Sequence, residues 1–229
     1  MTTHDITVQE RSDDLQSLNR NHYSLQVAKS ASAPGGSPVF NIVYMSKHLA
    51  PNMSVSWKEQ YGLNWSETVP DPGAEVVYSG NWQTCNSGQS YDLDANGEWV
   101  FNGNNPHANA ASLNVGVNNY RAVHVIVGIQ DSSTKTWMPI YIDGDELLKG
   151  GFGKYEPRES VQIWYQENNR TSTMITDQEL PVQLFDMTGI DKHYFRYSTE
   201  TGTWSDQPTP YPPGQYGNDL PPRKDNRPT

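Results

Sequence analysis

The chain has very few cysteines and few basic residues, and each shortage excludes a class of protein. Cys85 is the only cysteine in 229 residues, so no disulfide bond can form within the chain. Sixteen lysines and arginines stand against 26 aspartates and glutamates, which leaves a net charge of −10. The one basic cluster, Arg223-Lys224, lies near the C-terminus. Because such a chain repels a phosphate backbone, nucleic acid is not expected as a partner.

Long apolar runs are also missing. None approaches the roughly 18 residues that a membrane span requires, so no span is predicted. The opening residues, MTTHDITVQERSDD, lack the basic and apolar regions of a signal peptide. The glycosylation sequons at Asn52, Asn64 and Asn169 are then interpreted as coincidental. We expect a soluble protein of the cytoplasm, with leaderless release as the alternative.

Catalytic and cofactor motifs are the third absence. The sequence has no G-x-S-x-G elbow, no P-loop, no G-x-G-x-x-G after a strand and no H-E-x-x-H. Its six histidines show no close pairing, so a metal site would need residues from separate strands. Cys85 has no basic neighbour to lower its pKa and is expected to be a buried, inert thiol. We therefore predict no cofactor and favour a binding protein over an enzyme.

What the chain has in abundance is the period-2 pattern of half-buried strands. In residues 54–66, Trp57, Tyr61 and Trp65 fall on one side of an extended chain and polar residues on the other. No segment keeps a helical period, and Gly and Pro recur roughly every 8–12 residues. This pattern predicts an all-β fold, a single antiparallel β-sandwich over residues 21–204. Residues 1–20 are predicted to be mobile or a short edge helix, and the proline-rich residues 205–229 a disordered tail.

An acidic turn offers two interpretations. Asp94-Ala95-Asn96-Gly97 lies between two alternating runs, and Asn-Gly in that position is a strong hairpin signal. Together with Asp92, the carboxylate of Asp94 and the amide of Asn96 also match the start of a calcium-binding loop. The twelfth position, however, is Gly103, where a bidentate Glu would be needed. We predict the hairpin turn, with a calcium site at Asp92, Asp94 and Asn96 as the alternative.

Aromatic residues make up 11% of the chain and carry the ligand-binding hypothesis. Most of the seven tryptophans are expected in the core, since large rings bury the most area. Rings exposed beside Asn or Gln would instead form a sugar platform, because a pyranose stacks its C–H face on a ring while amides bind its hydroxyls. Residues 80–83, Gly-Asn-Trp-Gln, have that composition. The candidate ligand-binding residues are Tyr61, Trp65, Glu67, Trp82, His124 and Asp143.

The position of Glu67 can also be predicted from the strand pattern. By strand parity its carboxylate falls on the apolar side with Tyr61 and Trp65, where an ionised group needs a partner. The alternative is that Pro70 ends the strand early and Glu67 points to solvent.

Residues 23–101 resemble the RhiA (rhizosphere-expressed protein) family. The likeness rests on a short strand end, a proline, a W-x-x-x-Y-x-x-x-W-S-E-T run, a Pro-Gly turn and a later tryptophan. In this chain these are Met45-Ser46-Lys47, Pro51, Trp57, Tyr61, Trp65-Ser66-Glu67-Thr68, Pro72-Gly73 and Trp82. A fainter likeness is to the PixA/AidA inclusion-body proteins. The resemblance implies a strand-rich fold and no particular activity.

These observations lead to one functional prediction and one alternative. We predict a non-enzymatic β-sandwich protein of the RhiA-like type that binds a small molecule or glycan, or that associates with itself as a homo-oligomer. The alternative is an enzyme acting on a small apolar molecule in an aromatic-lined pocket, which would leave no sequence motif.

Overall fold

The computed structural model describes residues 3–131, 134–167 and 170–212. Seventeen strands and one helix lie within these ranges. In chain order they are β1 (Thr3–Gln9), α1 (Ser12–Arg20), β2 (Tyr23–Ser32), β3 (Ile42–Val43), β4 (Met45–Lys47), β5 (Asn52–Lys58), β6 (Tyr61–Ser66), β7 (Gln83–Thr84), β8 (Ser90–Leu93), β9 (Trp99–Phe101), β10 (Leu113–Asn118), β11 (His124–Gln130), β12 (Trp137–Ile142), β13 (Gly153–Glu167), β14 (Thr173–Met174), β15 (Gln183–Asp186), β16 (Lys192–Ser198) and β17 (Thr203–Gln207). Among the residues described, no helix is both long and apolar enough to cross a membrane.

The strands form four sheets, so the predicted all-β fold is confirmed. The first sheet has the order β17-β16-β1-β5, and the second has the order β4-β2-β13-β10-β8-β9 with β15 also paired to β13. The third has the order β12-β11-β6-β7, and β14 pairs with β3. Two of the pairings are parallel, β1 with β16 and β10 with β8, and the others are antiparallel. The alternation of side chains does not distinguish the two kinds of pairing.

One apolar core joins the first three sheets. Ile6 of the first sheet, Val27 of the second and Leu63 and Val125 of the third are all fully buried in it. Trp57, Leu63 and Trp65 lie on the buried side as strand parity predicts. The strand predicted to run through residues 54–66 is interrupted, however, because β5 ends at Lys58 and β6 begins at Tyr61. Across this short connection the chain passes from the first sheet to the third.

Residues 3–20 form a strand and a helix, so the short helix given as one expectation is present and the strand before it was not predicted. β1 lies inside the first sheet, between β16 and β5, with the side chain of Ile6 fully buried. The helix α1 follows at Ser12–Arg20 and buries Leu15 and Leu18. The strand was missed because its apolar positions alternate with polar ones over only seven residues, and a histidine occupies one of its buried positions. β1 is stable because it pairs with a neighbouring strand on each edge, although its composition alone does not predict a strand.

The C-terminal boundary also lies later than predicted. β17 continues through Gln207, and the backbone N–H of Tyr211 donates to the Gln9 side chain at 2.8 Å. The ring of Tyr211 is buried against the Arg196 guanidinium, whose carbon lies 3.9 Å from the ring centre. The ordered domain therefore includes the first part of the predicted tail. Its remainder, residues 213–229, lies outside the described residues.

Candidate functional site

The Asp94 turn is a hairpin, as predicted. β8 and β9 pair antiparallel on either side of it, and Gly97 adopts a positive φ of 83°. The Asp94 carboxylate accepts the backbone N–H groups of Asn96 and Glu98 at 2.8 and 2.9 Å, which lowers its pKa. Asp92 accepts the amide of Asn102 at 2.9 Å. The carboxylate oxygens of Asp92 and Asp94 are thus engaged by N–H donors that hold the turn and its flanking strand.

Glu67 points to solvent, so the prediction of a buried carboxylate is wrong and the alternative holds. β6 ends at Ser66, one residue earlier than the buried position would require. The side chain of Glu67 is 49% exposed and forms an ion pair with Arg121 at 2.9 Å. Such a pair contributes little to stability because both groups are well solvated.

The other predicted ligand-binding residues do not meet in one place. His124 is buried and contacts the backbone carbonyl of Asp143 through Nδ1 at 2.9 Å. Trp65 donates from its indole nitrogen to the Gly97 carbonyl at 2.9 Å and packs in the core. Tyr61 and His124 lie at opposite ends of the ladder between β6 and β11. Only His124 and Asp143 are brought together, and the bond between them uses the backbone.

A different group of side chains converges where three sheets meet. β1 and β5 of the first sheet, β2 and β13 of the second and β6 of the third each contribute to it, as does the connection between β5 and β6. We call it the Glu159 cluster. Its members are His4, Lys29, Trp57, Glu59, Tyr61 and Glu159.

Glu159 reaches this position because β13 is irregular there. Along the pairing of β13 with β2, Arg158 lies opposite Ser30 and Val161 lies opposite Lys29. Residues 159 and 160 therefore have no counterpart in β2, which is the geometry of a bulge. Bulges redirect side chains, and this one places the Glu159 carboxylate beside the Lys29 ammonium.

The Glu159 carboxylate accepts from three different donors. The Tyr61 hydroxyl donates to Oε1 at 2.7 Å, while the Lys29 ammonium donates to Oε2 at 3.1 Å. The Trp57 indole N–H also approaches Oε2, at 3.4 Å. Lys29 has no exposed surface and lies over the Trp57 ring, 4.5 Å from its centre. Removing one partner of such a buried pair would leave an uncompensated charge, which is strongly destabilising.

The charges of the cluster depend on one another. Burial lowers the pKa of Lys29, and Glu159 opposes that change. Burial would raise the pKa of Glu159, but Lys29 and the hydrogen bond from Tyr61 outweigh it, so the pKa lies below its ordinary value. Burial, reinforced by Glu159, raises the pKa of Tyr61 well above the usual range. Glu159 is therefore held as a carboxylate and Tyr61 as a neutral phenol.

His4 is fixed on both sides of its ring. Its Nδ1 lies 2.8 Å from the Ile190 carbonyl, and its Nε2 lies 3.0 Å from Glu59 Oε1 and 3.5 Å from Glu159 Oε2. The ring stacks on Trp57 with centroids 5.5 Å apart. The ligand atoms of His4, Glu59 and Glu159 all lie within 4.8 Å of one another, close enough to contact one cation.

Of the six residues in this cluster, only Tyr61 was predicted from the sequence as a ligand-binding residue. One signal was present: Lys29 continues the parity of Leu25 and Val27, so its side chain shares the face of β2 on which those apolar residues lie. A lysine on an apolar face requires a carboxylate, but which one it meets depends on the pairing of β2 with β13. His4 and Glu159 belong to strands far apart in the chain, and no local spacing connects them.

A second distinctive surface is the outer face of the third sheet. Gly62 and Gly128 lie directly opposite each other in the ladder between β6 and β11. A β-carbon at Gly128 would come within 2.4 Å of the Trp82 ring, and one at Gly62 within 2.5 Å of the Trp137 ring. Trp82 and Trp137 therefore stand on this glycine pair, stacked at 5.1 Å with an interplanar angle of 10°.

Tyr78 completes this aromatic surface. Its ring meets Trp82 edge-on at 5.3 Å and is 42% exposed, while both indoles are half-buried. We call Tyr78, Trp82 and Trp137 the aromatic platform. The indole nitrogen of Trp82 is buried without a hydrogen-bond partner in the part of the chain that the structure describes. Trp82 is thus only half-buried and packs against a second apolar cluster that includes Ile126 and Ile142. No pattern in the sequence predicts that Trp137 stacks on it.

No model of a known protein family matches the chain, and neither a curated protein nor a solved structure matches it significantly. The RhiA-like resemblance therefore stays a prediction. The Glu159 cluster and the aromatic platform are the two features of the structure that bear on function.

Proposed function

We propose that the chain is a non-enzymatic binding protein that holds a glycan, or another ligand with a flat C–H face, on the aromatic platform. The observation that carries this proposal is the stacked pair of Trp82 and Trp137 above Gly62 and Gly128. Glycine weakens a strand and commonly marks a place where another group approaches closely. Two glycines in register make room for two large rings outside the main core, one of which, Trp82, also packs against the second apolar cluster.

The surroundings of the platform have the polarity that a sugar requires. Asn81 and Gln83 flank Trp82 in the chain, and Asn81 is exposed with its amide on Glu98 at 3.2 Å. Amide and carboxylate groups beside a ring can bind hydroxyls while the ring contacts the C–H face. Because ring stacking and hydroxyl binding act together, removing one ring should weaken binding without abolishing the fold.

The experiment is a glycan array followed by titration of any bound sugar, monitored by tryptophan fluorescence. Tyr78→Ala removes the most exposed ring of the platform and should weaken binding by about tenfold, or ~1.4 kcal/mol. Phe152→Ala is the matched control, since Phe152 is also an exposed aromatic residue but stacks on His107. An array with no bound glycan, or equal affinities for the two variants, would contradict the proposal.

Self-association is a second candidate, supported by the edge of the second sheet. β9 is the last strand in that sheet, and it exposes Val100 and Phe101 to 50% and 61%. An open edge with apolar side chains is a template for pairing with another chain. The two candidates use different surfaces, so one protein could combine them.

The enzyme alternative has less support. A cleft of about 200 Å³ lies beside the cluster, lined in part by Tyr44, Trp57, Ile129 and Gln130. Pockets for small molecules usually enclose roughly 300–1,000 Å³ and are mostly apolar. This cleft is smaller and mixed in polarity. A larger cleft of about 470 Å³ lies between residues 73–75 and 170–173, but its lining is polar and contains no aromatic residue among those described. The expected cytoplasmic location stays a prediction.

A further inference from the structure

Three side chains from distant parts of the sequence aim nitrogen and oxygen atoms at one point. His4 lies in β1, Glu59 in the connection after β5 and Glu159 at the bulge of β13. His4 Nε2 is 3.0 Å from a Glu59 oxygen and 3.5 Å from a Glu159 oxygen. The imidazole is only 2% exposed, so bulk water does not fill this contact from the His4 side.

The orientation of His4 makes the contact unusual. Its Nδ1 lies 2.8 Å from the Ile190 carbonyl, which can only accept, so the proton of a neutral ring belongs on Nδ1. In that tautomer Nε2 carries a lone pair and faces the oxygens of Glu59 and Glu159, which carry lone pairs as well. Either a second ring proton, donated from Nε2 to Glu59, or a cation between the three atoms satisfies this contact, and the second arrangement can be tested directly. A histidine that donates its other N–H to a carbonyl is also the usual arrangement of a metal ligand.

We propose that His4, Glu59 and Glu159 bind a divalent transition-metal ion such as Zn²⁺. One imidazole and two carboxylates are a ligand set that suits zinc, and three protein ligands leave positions for water. Glu59 is 37% exposed, which gives the ion a route from solvent to the buried histidine. This inference is independent of the aromatic platform and of any function there.

Lys29 shares an oxygen with the proposed ion. Its ammonium lies 3.1 Å from Glu159 Oε2, the same atom that faces His4. Two carboxylates and one ammonium leave one negative charge for the ion to neutralise, whereas without Lys29 there would be two. Lys29 therefore competes with the metal, and removing its charge should favour metal binding.

The test is calorimetric titration of the untagged full chain with ZnCl₂, together with native mass spectrometry to count bound ions. The parent should bind one ion per chain. Glu59→Gln should weaken binding by about tenfold or more, because it removes a ligand while keeping the shape of the side chain. Glu59 is partly exposed in a connection, so this variant should fold. His107→Gln is the control, since His107 lies against Phe152 and is no part of the cluster.

Lys29→Met supplies the second measurement. It should bind Zn²⁺ more tightly than the parent, and its melting temperature should rise more on adding the ion. The proposal is overturned if the parent shows no saturable binding or if Glu59→Gln binds as tightly as the parent. If a folded Lys29→Met variant binds Zn²⁺ equally or more weakly than the parent, Lys29 and the ion do not compete for Glu159 Oε2. If His107→Gln loses the ion instead, the metal binds elsewhere.

Discussion

Glu10 is a carboxyl group without exposed surface, and its surroundings favour the uncharged form. Its Oε1 accepts from the Tyr165 hydroxyl and the Tyr197 backbone N–H, each at 2.9 Å. Its Oε2 is buried without a hydrogen-bond partner among the residues described. Burial raises the pKa of Glu10 to about 8, although the two hydrogen bonds oppose this change.

Folding stability should therefore fall as the pH rises through the range in which Glu10 ionises. The unfolded chain releases this proton near the ordinary pKa of 4.5, while the folded chain keeps it to about pH 8. The contribution of protonated Glu10 is complete below pH 4.5 and is lost on approaching pH 8. We expect a loss on the order of 3 to 5 kcal/mol relative to Glu10→Gln, which stays neutral. Urea unfolding of both proteins at pH 5 and pH 8 measures it, and parallel pH profiles would show that Glu10 is already ionised.

Single residues were predictable where burial follows from strand parity alone. Trp57, Leu63 and Trp65 are buried as the alternation requires. Glu67 was misplaced because parity does not say where a strand stops, and β6 stops one residue before it. Glu159 was not found, because a bulge that redirects a side chain depends on the pairing of two distant strands.

Among the elements, β1 is the one whose place inside a sheet the sequence pattern does not predict. It pairs with β5 along its whole length and with β16 on the other side. A strand held on both edges is part of the core, whereas a terminal segment of the same composition would be expected to fray. Predicting it requires knowledge of its partners, and those lie about 50 and 190 residues away.

Truncating a buried side chain of β1 should thus be costly. Ile6 has no exposed surface, so Ile6→Ala is expected to lower the free energy of unfolding by roughly 2–5 kcal/mol through lost burial and a cavity. Val77→Ala is the control, since Val77 is 66% exposed. Chemical denaturation of the two variants compares them. A parent-like midpoint for Ile6→Ala would indicate that β1 contributes little to the folded state.

For the molecule as a whole, the edge of the second sheet should govern association. We expect the sedimentation coefficient of the parent to increase with concentration, and Phe101→Lys to remove that increase because a lysine on the edge opposes strand pairing. Leu148→Lys is the control, since Leu148 is equally exposed at 61% but lies outside the strands. A parent that sediments as a monomer at every concentration would exclude this role for β9.

The overall architecture was predictable only at the level of its class. Alternation along β5, β6 and β11 and the Asn-Gly turn before β9 indicate strands and a hairpin, and both are present. The order of strands in the sheets, and the parallel pairing of β1 with β16, follow from long-range packing that no local pattern encodes. The Glu159 cluster depends on that order, since its members come from three sheets.

The position of β1 also has a consequence for biosynthesis. β1 emerges from the ribosome long before β16, which pairs with one of its edges and places His193 opposite Ile6. Contacts between residues so far apart in the chain form late and slow folding. Until almost all of the domain has been translated, an unpaired β-edge remains accessible to other nascent chains and to chaperones. Closure of the first sheet by β16 is therefore the step that ends this exposure.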